Sequence, residues 1–159
     1  MKRLLLVVFA LVGAVLGQSS PKKSASTPLK EYSYASDGFA IKFPYAPEPH
    51  TDSIHPDFKV WTVHLSDGAA ISIRLKADSQ PCDVALEKLK SMANVPIREF
   101  SVSGRPAWEE KEHPRGDAIL LERYVCGVNR YYVLTFVWPT SKSRPQLGLE
   151  ILDSFRLVK

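Results

Sequence analysis

The chain has 159 residues, of which 45% are hydrophobic and 24% are charged, the proportions of an ordinary globular domain. Its 21 Lys and Arg against 17 Asp and Glu give a formal charge of +4, too little for the dense basic surface that nucleic-acid binding requires. The 12 Pro and 8 Gly follow no period and the sequence has no internal repeat, which excludes collagen-like, low-complexity and solenoid proteins. We therefore expect a single domain and no nucleic-acid partner.

The N-terminus has the pattern of a secretory signal peptide. Lys2 and Arg3 precede an uncharged apolar run over residues 4–16, which is shorter than the about 20 residues that a membrane-spanning helix needs. Small residues near its end predict cleavage after Gly17. We expect residues 1–17 to be removed, leaving a secreted or periplasmic chain with no integral membrane span. With 19 basic and 17 acidic residues, the mature chain would carry a charge of about +2.

A polar segment separates this leader from the folded part. Residues 18–30 are rich in Ser, Lys, Pro and Thr and carry almost no apolar side chains. Such a segment cannot bury enough surface to offset the entropy of ordering, so we predict a flexible tail. The single folded domain is predicted over residues 31–159.

Cys82 and Cys126 are the two cysteines, an even number in a chain predicted for an oxidising compartment. We expect a disulfide between them. The alternative is a pair of buried free thiols packed as small apolar side chains. No C-x-x-C or similar spacing gathers four ligands, which disfavours zinc. Cys82 is expected in the first turn of a helix and Cys126 at the end of a strand, so the bond would join helix to sheet.

The first half of the domain alternates short apolar runs with turn residues, as in β-hairpins. Asp37-Gly38 and Ser66-Asp67-Gly68 each separate two such runs. Proline breaks both helices and central strands, so the proline-rich residues 44–56 are predicted to form a surface loop between the hairpins. The predicted strands are 32–34, 39–43, 58–65 and 69–77.

Two amphipathic helices are predicted in the second half. Residues 81–94 change to a helical period, and Pro81 suits the first turn. A closing helix is predicted to begin at Ser141 or Ser143. The apolar stripes are Ala85, Leu89, Met92 and Ala93 on the first helix, and Leu147, Ile151, Leu152 and Phe155 on the second.

Four further strands between the helices predict an antiparallel meander. In the last of them both alternating sets of side chains are apolar, which is typical of a central strand that is covered on both faces. The fold class is therefore α+β, an antiparallel sheet of about 6–8 strands flanked by two helices. The strands are predicted at 97–102, 107–113, 117–126 and 130–138, with turns at 103–104, 114–116 and 127–129.

Three segments of the chain resemble the PsbP-like domain family: residues 37–44 (DGFAIKFP), the hairpin arm 127–138 and the closing residues 151–157 (ILDSFRL). The resemblance covers about residues 31–158 and implies an α/β/α sandwich. The family includes an extrinsic subunit of the photosynthetic water-oxidising complex and many exported bacterial proteins, most of them binders rather than enzymes. It supplies no catalytic motif and no cofactor to carry over.

Two polar clusters are candidates for chemistry. His50, Asp52 and His55 offer imidazole and carboxylate ligands for a metal, but no further ligand is apparent and a solvated loop is the simpler interpretation. Glu110 and Glu112 would share a strand face, as paired catalytic carboxylates can, although nearby basic residues favour a solvated strand end. The second cluster comprises Glu109, Glu110, Glu112 and His113.

The sequence contains no nucleophile elbow and no Gly-rich phosphate loop, so we assign no catalytic, metal or cofactor residue. The tripeptide Arg115-Gly116-Asp117 resembles an integrin-binding sequence, but a turn accounts for it. We expect an exported, monomeric, non-catalytic module that binds a protein or a cell-envelope component. The alternatives are a small metal-dependent or hydrolytic enzyme built on one of the two clusters, and a carrier of a small apolar ligand.

Overall fold

A computed structural model describes residues 28–77 and 81–159. The predicted leader 1–17, its cleavage point and most of the predicted tail lie outside these residues. The first strand begins at Lys30, one residue before the predicted start of the domain, and Leu29 packs against the core. No helix in the described ranges is both long and apolar enough to cross a membrane.

The described residues form strands and two helices in an α+β arrangement, as predicted. The helices are α1 (Cys82–Ser91) and α2 (Gln146–Asp153). The strands are β1 (Lys30–Tyr34), β2 (Phe39–Phe43), β3 (His50–Thr51), β4 (Phe58–His64), β5 (Ala70–Ala77), β6 (Ile97–Val102), β7 (Arg105–Glu110), β8 (His113–Arg115), β9 (Ala118–Cys126), β10 (Arg130–Pro139) and β11 (Arg156–Leu157).

An antiparallel eight-stranded sheet organises the fold. Its strand order is β3-β4-β5-β10-β9-β7-β6, with β8 paired to β9. The predicted meander is the run β6, β7, β9 and β10, and it meets a second run, β3 to β5, where β5 lies beside β10. This junction places β10 at the centre of the sheet.

Strand β10 is buried on both faces, as its two apolar sets predicted. On one side, which we call the α1 face, Tyr131 and Val133 pack against α1. On the other side, the core face, the strand contributes four large side chains to the main core. These are Tyr132, Leu134, Phe136 and Trp138.

The core face is covered by α2 together with a second antiparallel sheet of three strands, in the order β1-β2-β11. The sequence pattern did not separate this small sheet from the large one. Ile151 and Leu152 of α2 are fully buried in the core. Gly148 lies so close to the ring of Phe136 that no Cβ would fit there, so α2 rests directly on β10.

Both helices differ from their predicted bounds. On α1 the buried residues are Cys82 and Leu86, whereas Met92, which was placed on the apolar stripe, lies beyond the helix end and is 61% exposed. Helix α2 begins at Gln146 rather than at Ser141 or Ser143, because Pro145 has extended backbone angles and lacks a backbone N–H.

Two strand predictions also need correction. The proline-rich loop contains the short strand β3, which pairs with β4. The predicted strand 107–113 is interrupted after Glu110, and Pro114 and Arg115 belong to β8 rather than to a turn. The chain reverses at Gly116, whose φ of +62° suits glycine.

A disulfide joins Cys82 to Cys126, with the two Cα atoms 5.5 Å apart. Cys82 is the first residue of α1 and Cys126 is the last residue of β9, which are the places expected from the sequence. The bond therefore fixes the start of α1 to the α1 face of the large sheet.

We predict that Cys126→Ala lowers the free energy of unfolding by about 2–4 kcal/mol, because the bond closes a 44-residue separation in the unfolded chain. Guanidinium denaturation of the oxidised protein measures this loss. Cys82→Ala is the matched control and should cost the same, with no further loss in the double variant. Two maleimide-reactive thiols in denatured, unreduced protein from its native compartment would contradict the bond.

Candidate functional site

A groove of about 760 Å³ lies between α2 and the β6–β7 hairpin, and we call it the α2–β7 groove. It combines an apolar lining with charged side chains of both signs, most of them at least partly exposed. Such a mixture is usual where proteins bind other molecules. The apolar residues include Ile97, Leu121 and Leu149, and the charged ones include Arg98, Lys111, Glu112, Arg144 and Asp153.

Arg123 lies at the base of the groove and its side chain is only 7% exposed. Its Nε and Nη2 donate to Glu109 Oε2 at 3.0 and 2.8 Å, and Nη2 also donates to Asp153 Oδ1 at 3.0 Å. Its Nη1 donates to the carbonyl of Leu152 in the last turn of α2 at 3.0 Å. The ring of Phe100 lies 5.1 Å from the guanidinium carbon. The buried charge is therefore paired, and it joins β7, β9 and α2.

The acidic cluster predicted at 109–113 is divided by the fold. Glu109 lies on the core face, where Arg98 Nη2 also donates to it at 2.9 Å. Glu110 points to the α1 face, and Glu112 follows the end of β7 and pairs with Arg144. The expectation that Glu110 and Glu112 share a strand face is wrong, because the strand ends at Glu110.

Glu110 instead has Glu122 and His113 as neighbours. Burial, with the negative charge of Glu122, raises the pKa of Glu110, and His113 opposes the rise. His113 Nδ1 lies 3.7 Å from Glu110 Oε2. Glu110 is consequently a carboxyl group that holds its proton at higher pH than an exposed glutamate does.

Glu122 accepts three hydrogen bonds on the α1 face. Arg74 Nη2, Thr135 Oγ1 and Tyr124 Oη donate to its two oxygens at 3.2, 2.9 and 3.0 Å. The Tyr124 ring stacks on Trp108 with ring centroids 3.9 Å apart. Burial and the neighbouring carboxylates raise the pKa of Tyr124 well above its ordinary value, so its hydroxyl serves as a hydrogen-bond donor.

Of the candidate ligands His50, Asp52 and His55 on the proline-rich loop, Asp52 has a local structural role. Asp52 Oδ1 accepts the backbone N–H groups of Ile54 and His55 at 2.8 and 3.0 Å, which closes a turn and lowers the pKa of Asp52. Across residues 28–77 and 81–159, no three His, Cys, Asp or Glu side chains are placed to hold a metal ion.

Arg123 and Asp153 were not singled out from the sequence. A signal was present for Arg123, because it occupies the same strand face as the buried Leu121 and Val125. A charged residue at an inward position indicates a buried partner. The sequence spacing does not reveal that the partners are Glu109 and the end of α2.

The fold is similar to that of two solved structures. Cyanobacterial PsbP (CyanoP) from Synechocystis sp. PCC 6803 is 11% identical with a TM-score of 0.57, and the match covers 88% of this chain and 98% of that one. A protein from Bacteroides thetaiotaomicron is 10% identical with a TM-score of 0.56, and the match covers 82% of this chain and 48%, about half, of that one. No protein-family model and no curated protein matches the sequence. The predicted PsbP-like fold is confirmed.

We predict that Arg123→Met lowers the free energy of unfolding by about 3–5 kcal/mol, because the Glu109 carboxyl group, only 12% exposed, loses its main partner. Urea denaturation measures the loss. The side chain of Arg98, the other cation on Glu109, is 70% exposed. Arg98→Gln should therefore cost far less stability. Equal losses in the two variants would contradict the buried ion pair as the determinant.

A second prediction follows from the raised pKa of Glu110. Between its unfolded and folded pKa values the native state binds more protons than the unfolded state, so the stability falls as the pH rises. Glu110→Gln removes this penalty and should raise Tm at pH 7 by about 1–3 °C, with no gain at about pH 3.5, where both states are protonated. Glu112→Gln, which loses the Arg144 pair, is the control without a gain. The same shift at both pH values would contradict the titration.

Proposed function

We propose that the protein is a non-catalytic binding module that takes an extended segment of a partner polypeptide along strand β6, beside the α2–β7 groove. The observation that carries this proposal is the unpaired edge of β6. Among the described strands, β6 pairs with β7 alone, so the backbone groups on its other side have no strand partner. An exposed edge of this kind accepts a peptide as an added strand.

The hairpin geometry identifies which backbone groups are free. Val102 and Arg105 flank a two-residue turn whose residues, Ser103 and Gly104, have φ of +51° and +74°. In such a turn the flanking residues exchange hydrogen bonds with each other, and every second pair along the ladder does the same. The N–H and C=O groups of Glu99 and Ser101 are therefore directed away from β7.

The α2–β7 groove begins at the same edge, since Ile97 and Arg98 of β6 are part of its lining. An added strand would place alternate side chains on the groove side of the sheet. Leu149 can receive apolar side chains there, and Lys111 and Asp153 can receive charges of either sign. A protein segment suits this mixed surface better than a ligand of one charge does.

An extracytoplasmic location is part of the proposal. The leader predicted over residues 1–17 supports it, and so does the disulfide between Cys82 and Cys126, because such bonds persist in oxidising compartments. The PsbP-like fold is in keeping with an accessory role. We propose a secreted or periplasmic monomer whose partner is a protein or a component of the cell envelope.

We predict that Ser101→Pro abolishes peptide binding while the protein stays folded. Proline removes the outward N–H of an exposed edge residue without removing a bond to β7. Displayed peptides of about 12 residues would be selected on the wild-type protein, and their affinities, expected at Kd of about 100 µM or tighter, would be measured by calorimetry.

Ser101→Ala is the matched control, because it removes the side chain and keeps the N–H; it should bind within about twofold of the wild type. Far-ultraviolet circular dichroism checks that both variants fold. Peptides that bind the Ser101→Pro variant equally well would contradict strand addition at β6. If the wild-type protein forms a concentration-dependent dimer and Ser101→Pro makes it monomeric, the edge of β6 would instead be assigned to a second copy of the chain.

A further inference from the structure

A second cavity, of about 530 Å³, lies at the other end of the β6–β7 hairpin. The turns after β1, β6 and β9 meet β11 there, and we call it the loop-end cavity. Three basic side chains line it, and its lining contains no Asp or Glu. Tyr132, Val128 and Leu157 add apolar surface. The basic residues are Arg105, Arg130 and Lys159.

Within the described ranges, the arginines of this cavity have no carboxylate partner, whereas most of the other arginines do. Of the eight arginines in the described residues, five form ion pairs with carboxylates. Arg105, Arg115 and Arg130 do not, and two of these three line the loop-end cavity. Of two carboxylates nearby, Asp37 is paired with Lys59 at 2.8 Å, and Asp83 Oδ1 accepts the N–H of Val84 at 3.0 Å and forms no ion pair with an arginine of the described residues.

Arg130 is held in place by neutral groups. Its Nε donates to the carbonyl of Val128 and its Nη1 to the carbonyl of Ser36, both at 3.2 Å. These bonds fix the guanidinium between two turns without neutralising its charge. An anchored cation loses little conformational freedom when it binds an anion, which favours binding.

Glycines on two of the turns make this arrangement possible. A Cβ on Gly127 would lie 2.8 Å from Tyr132 Cε2 and 2.9 Å from Arg130 Cγ. A Cβ on Gly38, whose φ is +77°, would lie 2.8 Å from the Tyr132 hydroxyl. The close approach of the turns to Tyr132 and Arg130 therefore depends on the absence of side chains.

We propose that the loop-end cavity binds an amphiphilic oxyanion, a carboxylate or phosphate head attached to a short apolar group. The arginine forks match the paired oxygens of either head. Val128, which is 63% exposed, and Leu157 provide the surface for the apolar group. The volume lies in the usual range for small-ligand sites. This site is separate from the polypeptide edge at β6 and does not depend on it.

Titration with octanoate and with octyl phosphate, followed by amide chemical shifts of the full folded protein at about 20 mM ionic strength, tests the proposal. We expect Kd of about 1 mM or tighter for at least one of them, with shifts confined to the three turns and β11. Arg105→Gln and Arg130→Gln should each weaken binding about tenfold, the effect of losing one charged hydrogen bond.

Arg115→Gln is the matched control, because Arg115 also lacks a carboxylate partner but lies at the opposite end of β9. It should leave the affinity within about twofold of the wild type. Arg105 is exposed and without a carboxylate partner in the described residues, so its variant should fold even if the Arg130 variant does not. Tighter binding of octanoate assigns a carboxylate ligand, and tighter binding of octyl phosphate assigns a phosphate ligand. Equal affinity for octanol or octyltrimethylammonium, an equal loss in Arg115→Gln, or no binding would overturn the proposal.

Discussion

The central strand β10 must be covered on both faces, and the rest of the fold meets this requirement. Its alternating side chains are buried on either side, so a single layer against the sheet would leave one apolar set in water. The α1 face is covered by a ten-residue helix pinned by a disulfide. The core face receives α2 and the small β1-β2-β11 sheet.

Covering the core face also creates the sites. When α2 packs on β10, its last turn comes next to Arg123, and the guanidinium bonds both to the helix and to Glu109. These hydrogen bonds tie α2 to β7 and β9 at the base of the α2–β7 groove, beside an edge of β6 that no described strand pairs with. At the other end of the sheet, the turns meet β11 around cations that no carboxylate in the described residues neutralises. The fold therefore has two separate surfaces of different chemistry, one of mixed charge and one cationic.

The sequence was most reliable where a periodic pattern or a turn signal is local. Neighbouring residues along the chain predict the hairpin turn at Asp37-Gly38 and the second hairpin. They also predict the places of Cys82 and Cys126 in a helix and a strand. It was least reliable where a strand or helix ends, as at Glu110 and Gln146. Such ends depend on which backbone groups find partners in neighbouring elements, and spacing along the chain carries little of that information.

The sequence by itself determined the α+β class, the two-faced central strand, the helix-to-sheet disulfide and the PsbP-like resemblance, because each rests on alternation, spacing or a short motif. Only the tertiary structure decided that Glu109, Glu110 and Glu112 face different partners, since strand alternation and the end of β7 separate them. Only it brought Arg123 to the end of α2, and Arg105 to Arg130. Arg123 is far from α2 in sequence, and Arg105 is far from Arg130. The free energy that brings each pair together comes from the packing of whole layers rather than from local preference.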